Sequence, residues 1–214
     1  MNIFAVSSNP INSAQQLLDK HIVKMPTESC QMLHTNALYF NYRSIYGVEP
    51  SLKDLKEFHK QINSKMMKPA MLNHPSTIWA RESQDNFNWL FIHAHALCEE
   101  YAFRYGKEHG SLRRILETEI PEDYGKSWAF SIEGLTPVSI AMADEYRLDR
   151  EQYFIDNPNF SDWDYVIDCY RNYYLEGKWE FAFWKKNRRP DWFPKNWRAT
   201  KIMKRYYGDS NNGQ

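Results

Sequence analysis

Four polar side chains recur at intervals of three and four residues in the segment Asp19-Lys20-His21-Ile22-Val23-Lys24-Met25-Pro26-Thr27-Glu28-Ser29-Cys30-Gln31. Residues three or four apart are neighbours on a helix, so His21, Lys24, Glu28 and Gln31 form one line. An imidazole, a primary amine, a carboxylate and an amide in a row are groups suited to proton transfer and nucleophilic attack. The same spacing also suits a solvated helix face carrying an ordinary Lys24–Glu28 pair. Pro26 is expected to kink or break the helix, which would rotate Glu28 relative to His21.

A second constellation lies between residues 76 and 105, where Trp79, Glu82, Asn86, Trp89, His93, Glu100 and Arg104 form a stripe beside an apolar face. Read functionally, it is one wall of a pocket whose other wall is the His21–Gln31 line. Read structurally, it packs against a neighbouring helix through hydrogen-bonded contacts. Arg81 points away from Glu82 on a helix, so the two count as binding candidates and not as a catalytic pair. His93-Ala94-His95 resembles a ligand pair, but residues two apart on a helix point about 200° apart and cannot chelate one ion. No HExxH, CxxC, Walker loop or GxGxxG is present, so neither a metal nor a cofactor is expected.

The third feature is the segment from Trp184 to Arg205, which holds nine Lys or Arg against the single acid Asp191. It carries +8 in a chain of zero net charge, leaving −8 on the remainder. Lys185, Lys186, Arg188, Arg189, Lys195 and Arg198 would neutralise phosphates, while Trp192 and Trp197 stack on bases or wedge between them. The alternative is a proline-kinked tail stapled to the body by its aromatics, with its charges solvated.

These residues need a scaffold, and the pattern predicts an all-α one: a single compact helical domain over residues 1–208. It would have a short extended segment at 2–6, a basic aromatic C-terminal segment, and a disordered tail at 209–214. A helix should start from a cap at Asn12 or Ser13, break near Pro26, and close at Gly47 and Pro50. Further helices are expected over 51–67, with Leu52, Leu55, Phe58 and Ile62 inward, and as one long helix over 76–105 stopped by Gly106. On that long helix Phe87, Leu90, Phe91, Ala94, Leu97, Cys98, Tyr101 and Tyr105 face inward. Short helices are expected over 111–119 and 137–147, an irregular connection over 121–137, and a last helical region over 162–184 broken near Gly177. Aromatics make up 16% of the chain, with eight Trp and fourteen Tyr, enough for either a flat-ring core or a stacking surface. Cys30, Cys98 and Cys169 are odd in number and widely spaced, which suggests buried free thiols and a reducing compartment. No apolar run approaches the length of a membrane span. The first residues lack the basic and apolar parts of a secretory signal, so a cytoplasmic location is expected.

The chain resembles phage-encoded proteins that share Asp19-Lys20-His21, Asn73-His74-Pro75, Trp79-Ala80-Arg81-Glu82-Ser83 and Asp144-Glu145-Tyr146. It is more distantly similar to the small all-helical phage pyrimidine-dimer DNA glycosylases. That likeness covers the Asp-x-His helix start with a Glu seven residues on (His21, Glu28), a His-led second helix (His74) and Arg-Pro-x-Trp (Arg189, Pro190, Trp192). In that family a primary amine at the chain's start attacks C1′ of the deoxyribose, assisted by a nearby glutamate. The resemblance therefore implies that Glu28 is the catalytic carboxylate and His21 a DNA-facing or positioning residue. Asn2 is too large for ready removal of Met1, so the nucleophile would be the α-amine of Met1 itself. The arginines that flank the family's glutamate are Thr27 and Gln31 here.

An α-amine with an unperturbed pKa of about 8 is partly neutral at pH 7 and competent to form a Schiff base. Lys24 is the second candidate, provided burial depresses its ammonium, although Glu28 acts in the opposite direction. A target base must leave the stack, at about a few kcal/mol, and Trp79 or Trp89 would hold it. The leading expectation is a DNA glycosylase, with abasic-site lyase activity as its extension, acting on a damaged or modified base in the host cytoplasm. Its rivals are a non-catalytic protein that sequesters a nucleotide or nucleobase and a module that docks to a host protein.

Overall fold

A computed structural model describes residues 2–122 and 124–207. Among them are ten α-helices, three short 3-10 turns and no strand. The tail expected after Gly208 lies outside the described residues, as does Met1.

α1 (Pro10–Gln16) begins three or four residues earlier than expected. Asn9 caps it through its side chain and Pro10 takes the first turn, where its missing N–H costs nothing. α2 (Asp19–Tyr46) runs without interruption through Pro26 for 28 residues and closes at Gly47, whose φ of 69° is the left-handed conformation glycine supplies. The break expected at Pro26 is therefore absent. Pro26 removes one backbone donor, but it lies buried with Ile22 and Cys30 on either side, and that packing carries the helix through. From Met32 to Phe40 every residue is buried, as befits a central helix.

The long helix expected over 76–105 is instead two, α4 (Pro75–Glu82) and α5 (Gln84–Tyr105), after α3 (Leu52–Gln61). Ser83 is extended at φ −136° and ψ 157°, and its hydroxyl caps α5 by accepting from the Asn86 N–H. The Asn86 amide then donates to the Trp79 carbonyl at 2.9 Å, which satisfies an acceptor left at the end of α4. α5 packs on α2 and carries α1. Phe87, Leu90, Ala94, Leu97 and Cys98 are buried as its pattern required, and it stops at Gly106 with φ 69°.

Beyond α6 (Leu112–Leu116) and the single turn α7 (Tyr124–Ser127), the chain is irregular to residue 143, and Trp128 fills the core from within it. The helix expected at 137–147 is reduced to a 3-10 turn at Asp144–Tyr146. α8 (Arg150–Asp156) and α10 (Trp197–Tyr207) were not expected. α9 (Asp162–Gly177) opens on a Ser161–Asp164 capping box and ends at Gly177 as its sequence indicated.

The aromatic excess goes largely into the interior, where Trp128 stacks on Phe40 at 4.7 Å and Trp79 meets Trp89 edge-on at 5.8 Å. Cys30, Cys98 and Cys169 are buried free thiols. No helix among the described residues is long and apolar enough to cross a membrane.

Candidate active site

Because α2 is continuous, Lys24 and Glu28 lie one turn apart on the same face, with the Lys24 ammonium 2.9 Å from the Glu28 carboxylate. The second Glu28 oxygen accepts the backbone N–H of Asn2 at 3.2 Å. Residues 3–6 of this N-terminal segment are buried, so Asn2 has little freedom. Its side-chain amide donates to the Ala141 carbonyl at 2.8 Å, and its amide oxygen accepts from the Tyr170 hydroxyl at 3.0 Å. The same hydroxyl accepts the Ala141 N–H and lies 3.0 Å from the Ser139 carbonyl. Three distant pieces of chain thus hold Asn2 against a carboxylate whose side chain is only 16% exposed.

His74 caps α4, its Nδ1 accepting the Ser76 N–H at 3.2 Å. Burial lowers its pKa and the Glu28 carboxylate opposes the shift, which puts imidazole and carboxylate in one electrostatic neighbourhood. Gln31 reaches the Lys68 carbonyl at 3.4 Å along the same helix.

His21 belongs to the interior. It is buried, its Nδ1 lies 2.7 Å from the Tyr174 hydroxyl, and Phe4 stacks on its ring at 3.9 Å. Burial, followed by the charges of Lys178 and Lys24, pulls its pKa down to about 3, so the ring is neutral. Of the two roles the resemblance offered His21, burial does not fit the DNA-facing one; the ring stacks on Phe4, two residues from Asn2. Lys24 also departs from expectation as a nucleophile, since its side chain is 69% exposed and lacks the burial that would activate it.

Most of the stripe on α4 and α5 is taken up in buried hydrogen bonds. Trp79 is buried and its indole N–H donates to the Thr136 hydroxyl at 3.1 Å, while Asn86 contacts the Trp79 carbonyl and Thr136. Trp89 donates to the Ser8 carbonyl at 2.6 Å and stacks on buried His93, whose Nδ1–H donates to the Pro10 carbonyl. Arg104 is buried among Glu100, Asp19 and the carbonyls of Leu17 and Gln15. Arg81 donates to the Leu72 carbonyl and covers the Tyr39 ring. Glu82 is partly buried, and its backbone carbonyl receives the N–H groups of Ser131 and Ile132. Hydrogen-bonded packing, not ligand binding, explains Trp79, Asn86, Trp89, His93 and Arg104.

A family model described as pyrimidine dimer DNA glycosylase matches residues 1–112. The chain belongs to the pyrimidine dimer DNA glycosylase family. No curated protein and no solved structure matches it. In this glycosylase-family chain the matched half contains Asn2, Lys24, Glu28, Gln31 and His74, so the carboxylate and the groups around it lie inside the match. Ala141 and Tyr170, which fix Asn2, come from the other half.

The basic segment of this glycosylase-family member is stapled down by its aromatics. The indole N–H groups of Trp184, Trp192 and Trp197 donate to Gln16 O, Gln16 Oε1 and Leu175 O, so neither Trp192 nor Trp197 is poised as a wedge. Arg188 lies 3.2 Å from Glu100 and over Phe103, Lys185 covers Tyr105, and Arg198 covers Phe183. Lys186 and Lys195 are exposed, and Arg189 lines a shallow cleft with Gln16, Arg171 and Trp192. Among the described residues no group of three His, Cys, Asp or Glu is arranged to hold a metal ion.

Sequence reasoning missed Asn2, Ser139, Ala141 and Tyr170. The available signals were a polar residue opening an apolar run at Asn2 and a tyrosine on the buried face of α9.

Proposed function

We propose that the protein is a DNA glycosylase with an associated abasic-site lyase step, in which the α-amine of Met1 is the nucleophile and Glu28 manages the protons. The observation that supports this reading is the backbone N–H of Asn2 on the Glu28 carboxylate, a contact between the start of the described chain and the family's glutamate.

The chemistry balances with these two groups and water. The neutral amine forms a bond to C1′ of the deoxyribose as the C1′–base bond breaks; the electron pair leaves with the base, which takes a proton from water. Glu28 accepts a proton from the new ammonium and passes it to O4′ as the C1′–O4′ bond opens, leaving a protonated imine. In the lyase step Glu28 then removes a proton from C2′ and the C3′–O3′ bond breaks, with the phosphate as leaving group. Water hydrolyses the imine and restores the amine. An α-amine of unperturbed pKa about 8 has a useful neutral fraction at pH 7. His21 stacks on Phe4 in the N-terminal segment, and the charge of the same carboxylate reaches His74.

The test is reduction with sodium borohydride during incubation with duplex DNA carrying a pyrimidine dimer or an abasic site. A covalent adduct on the N-terminal peptide is expected from the unmodified chain, and Glu28→Gln should lose it while keeping the native melting temperature. Absence of both base release and adduct, or an adduct on an internal lysine, would overturn the assignment.

A further inference from the structure

Next to the Glu28 site lies an open cleft of about 470 Å³ whose lining includes Pro75, Ser139, Arg147, Arg150, Tyr165 and Val166. All of these except Pro75 come from the part of the chain beyond the family match. Its position relative to Glu28 follows from covalent and hydrogen-bonded neighbours. Pro75 adjoins His74, which feels the Glu28 charge. Ser139 and Ile140 of the opposite wall directly precede Ala141, whose carbonyl holds the Asn2 side chain. Tyr170 joins Ser139 to Asn2 through one hydroxyl.

The two arginines in this cleft differ in how far they are already used. Arg150 lies 2.6 Å from Asp162, itself a lining residue, and its guanidinium covers Phe154 and Tyr165 at 5.2 and 5.9 Å. Its charge has an internal partner. Arg147 is paired with Asp144 at 3.7 Å, longer than a hydrogen bond, and that carboxylate is 95% exposed. Such an exposed pair is worth little and exchanges readily for a better anion. The Arg147 side chain is itself 40% exposed, and its planar fork suits the two non-bridging oxygens of a phosphodiester. Arg147 and Tyr165 line the same cleft, and the positive charge opposes the rise that burial imposes on the Tyr165 hydroxyl.

We infer that Arg147 grips a backbone phosphate of the DNA strand entering the Glu28 site, and that residues 137–166 form a second wall of the substrate cleft. This rests on the glycosylase reading above and adds to it a phosphate-binding wall from outside the matched region. A phosphate there compensates the +1 charge of Arg147 and displaces Asp144, leaving Asp162 to Arg150.

The test is the salt dependence of binding of the full chain to a duplex containing an abasic site, for the unmodified protein, Arg147→Gln and Arg147→Lys. Losing one phosphate contact lowers the slope of log K against log salt by about 0.9 and weakens binding at low salt by about tenfold. Arg147→Lys should restore the slope. Arg113→Gln, at an exposed position of α6, should change neither. An Arg147→Gln protein with native slope and affinity, while Glu28→Gln still abolishes the borohydride adduct, overturns the inference and leaves the glycosylase reading standing. If the unmodified protein neither binds this DNA nor forms the adduct, the glycosylase reading falls and the inference with it.

Discussion

Lowering the pH from 7 to 5 should destabilise the fold by about 4 kcal/mol through two buried imidazoles. His21 and His93 are 7% and 1% exposed, and burial, the leading cause in each, pulls their pKa values to about 3 and about 4 from 6.5. Both folded values lie below the unfolded one, so the unfolded chain binds protons that the native state refuses. Stability is therefore complete above pH 6.5 and falls with pH, the His93 loss ending near pH 4 and the His21 loss near pH 3. At pH 5 the linkage relation gives about 2 kcal/mol for each residue. His34, whose pKa burial also lowers, acts in the same direction. For a chain of this size 1 kcal/mol moves the melting temperature by about 2–4 °C, so the combined effect is about 10 °C. The assay is thermal unfolding followed by circular dichroism at pH 7 and pH 5. His93→Gln keeps a donor for the Pro10 carbonyl but cannot titrate, and it should remove about half of the difference between the two pH values. If that variant shows the same difference as the unmodified protein, the protonation argument is refuted.

Two further substitutions separate structure from function. Arg104→Met takes the buried guanidinium from Glu100 and Asp19, leaving them Arg188 and the Lys185 N–H, and frees two carbonyls; it should cost about 3–5 kcal/mol in denaturant titration. Trp79→Phe removes an indole N–H from Thr136 and should cost about 1–3 kcal/mol. Its affinity for DNA should remain native, since the ring is enclosed and was wrongly expected to stack on a base.

Much of the scaffold was legible because it rests on local rules. The inward face of α5, the glycine stops at Gly47 and Gly106, and the Ser161 start of α9 each follow from spacing or from one cap. The break at Ser83 was not, because apolar residues stay in helical phase across it and neither Gly nor Pro marks it; a hydroxyl cap and the Asn86 amide create it. α10 was hidden because its charges drew the reading toward a basic nucleic-acid-binding segment. For the site, helical spacing placed Lys24 and Glu28 on one face, and the family resemblance pointed to the carboxylate. The contact that gives Glu28 meaning spans 26 residues, and the Tyr170–Asn2 bond spans 168. No local period encodes such pairings. The Trp79–Arg104 stripe misled for a related reason: polar residues next to an apolar face look alike from sequence whether they line a hollow or satisfy one another inside a core.

The three enclosed cysteines equip the molecule with its own gauge of opening. Burial pushes the thiols of Cys30 and Cys98 to about 12 and raises that of Cys169, so almost no thiolate is present near neutral pH, and the folded chain should ignore an alkylating reagent. Because they sit on α2, α5 and α9, the order in which they become modified under mild denaturant reports which helix parts first. The N-terminal segment is clasped between α2 and α9, so early labelling at Cys169 would mean that the amino end lets go of its carboxylate before the α2–α5 core yields.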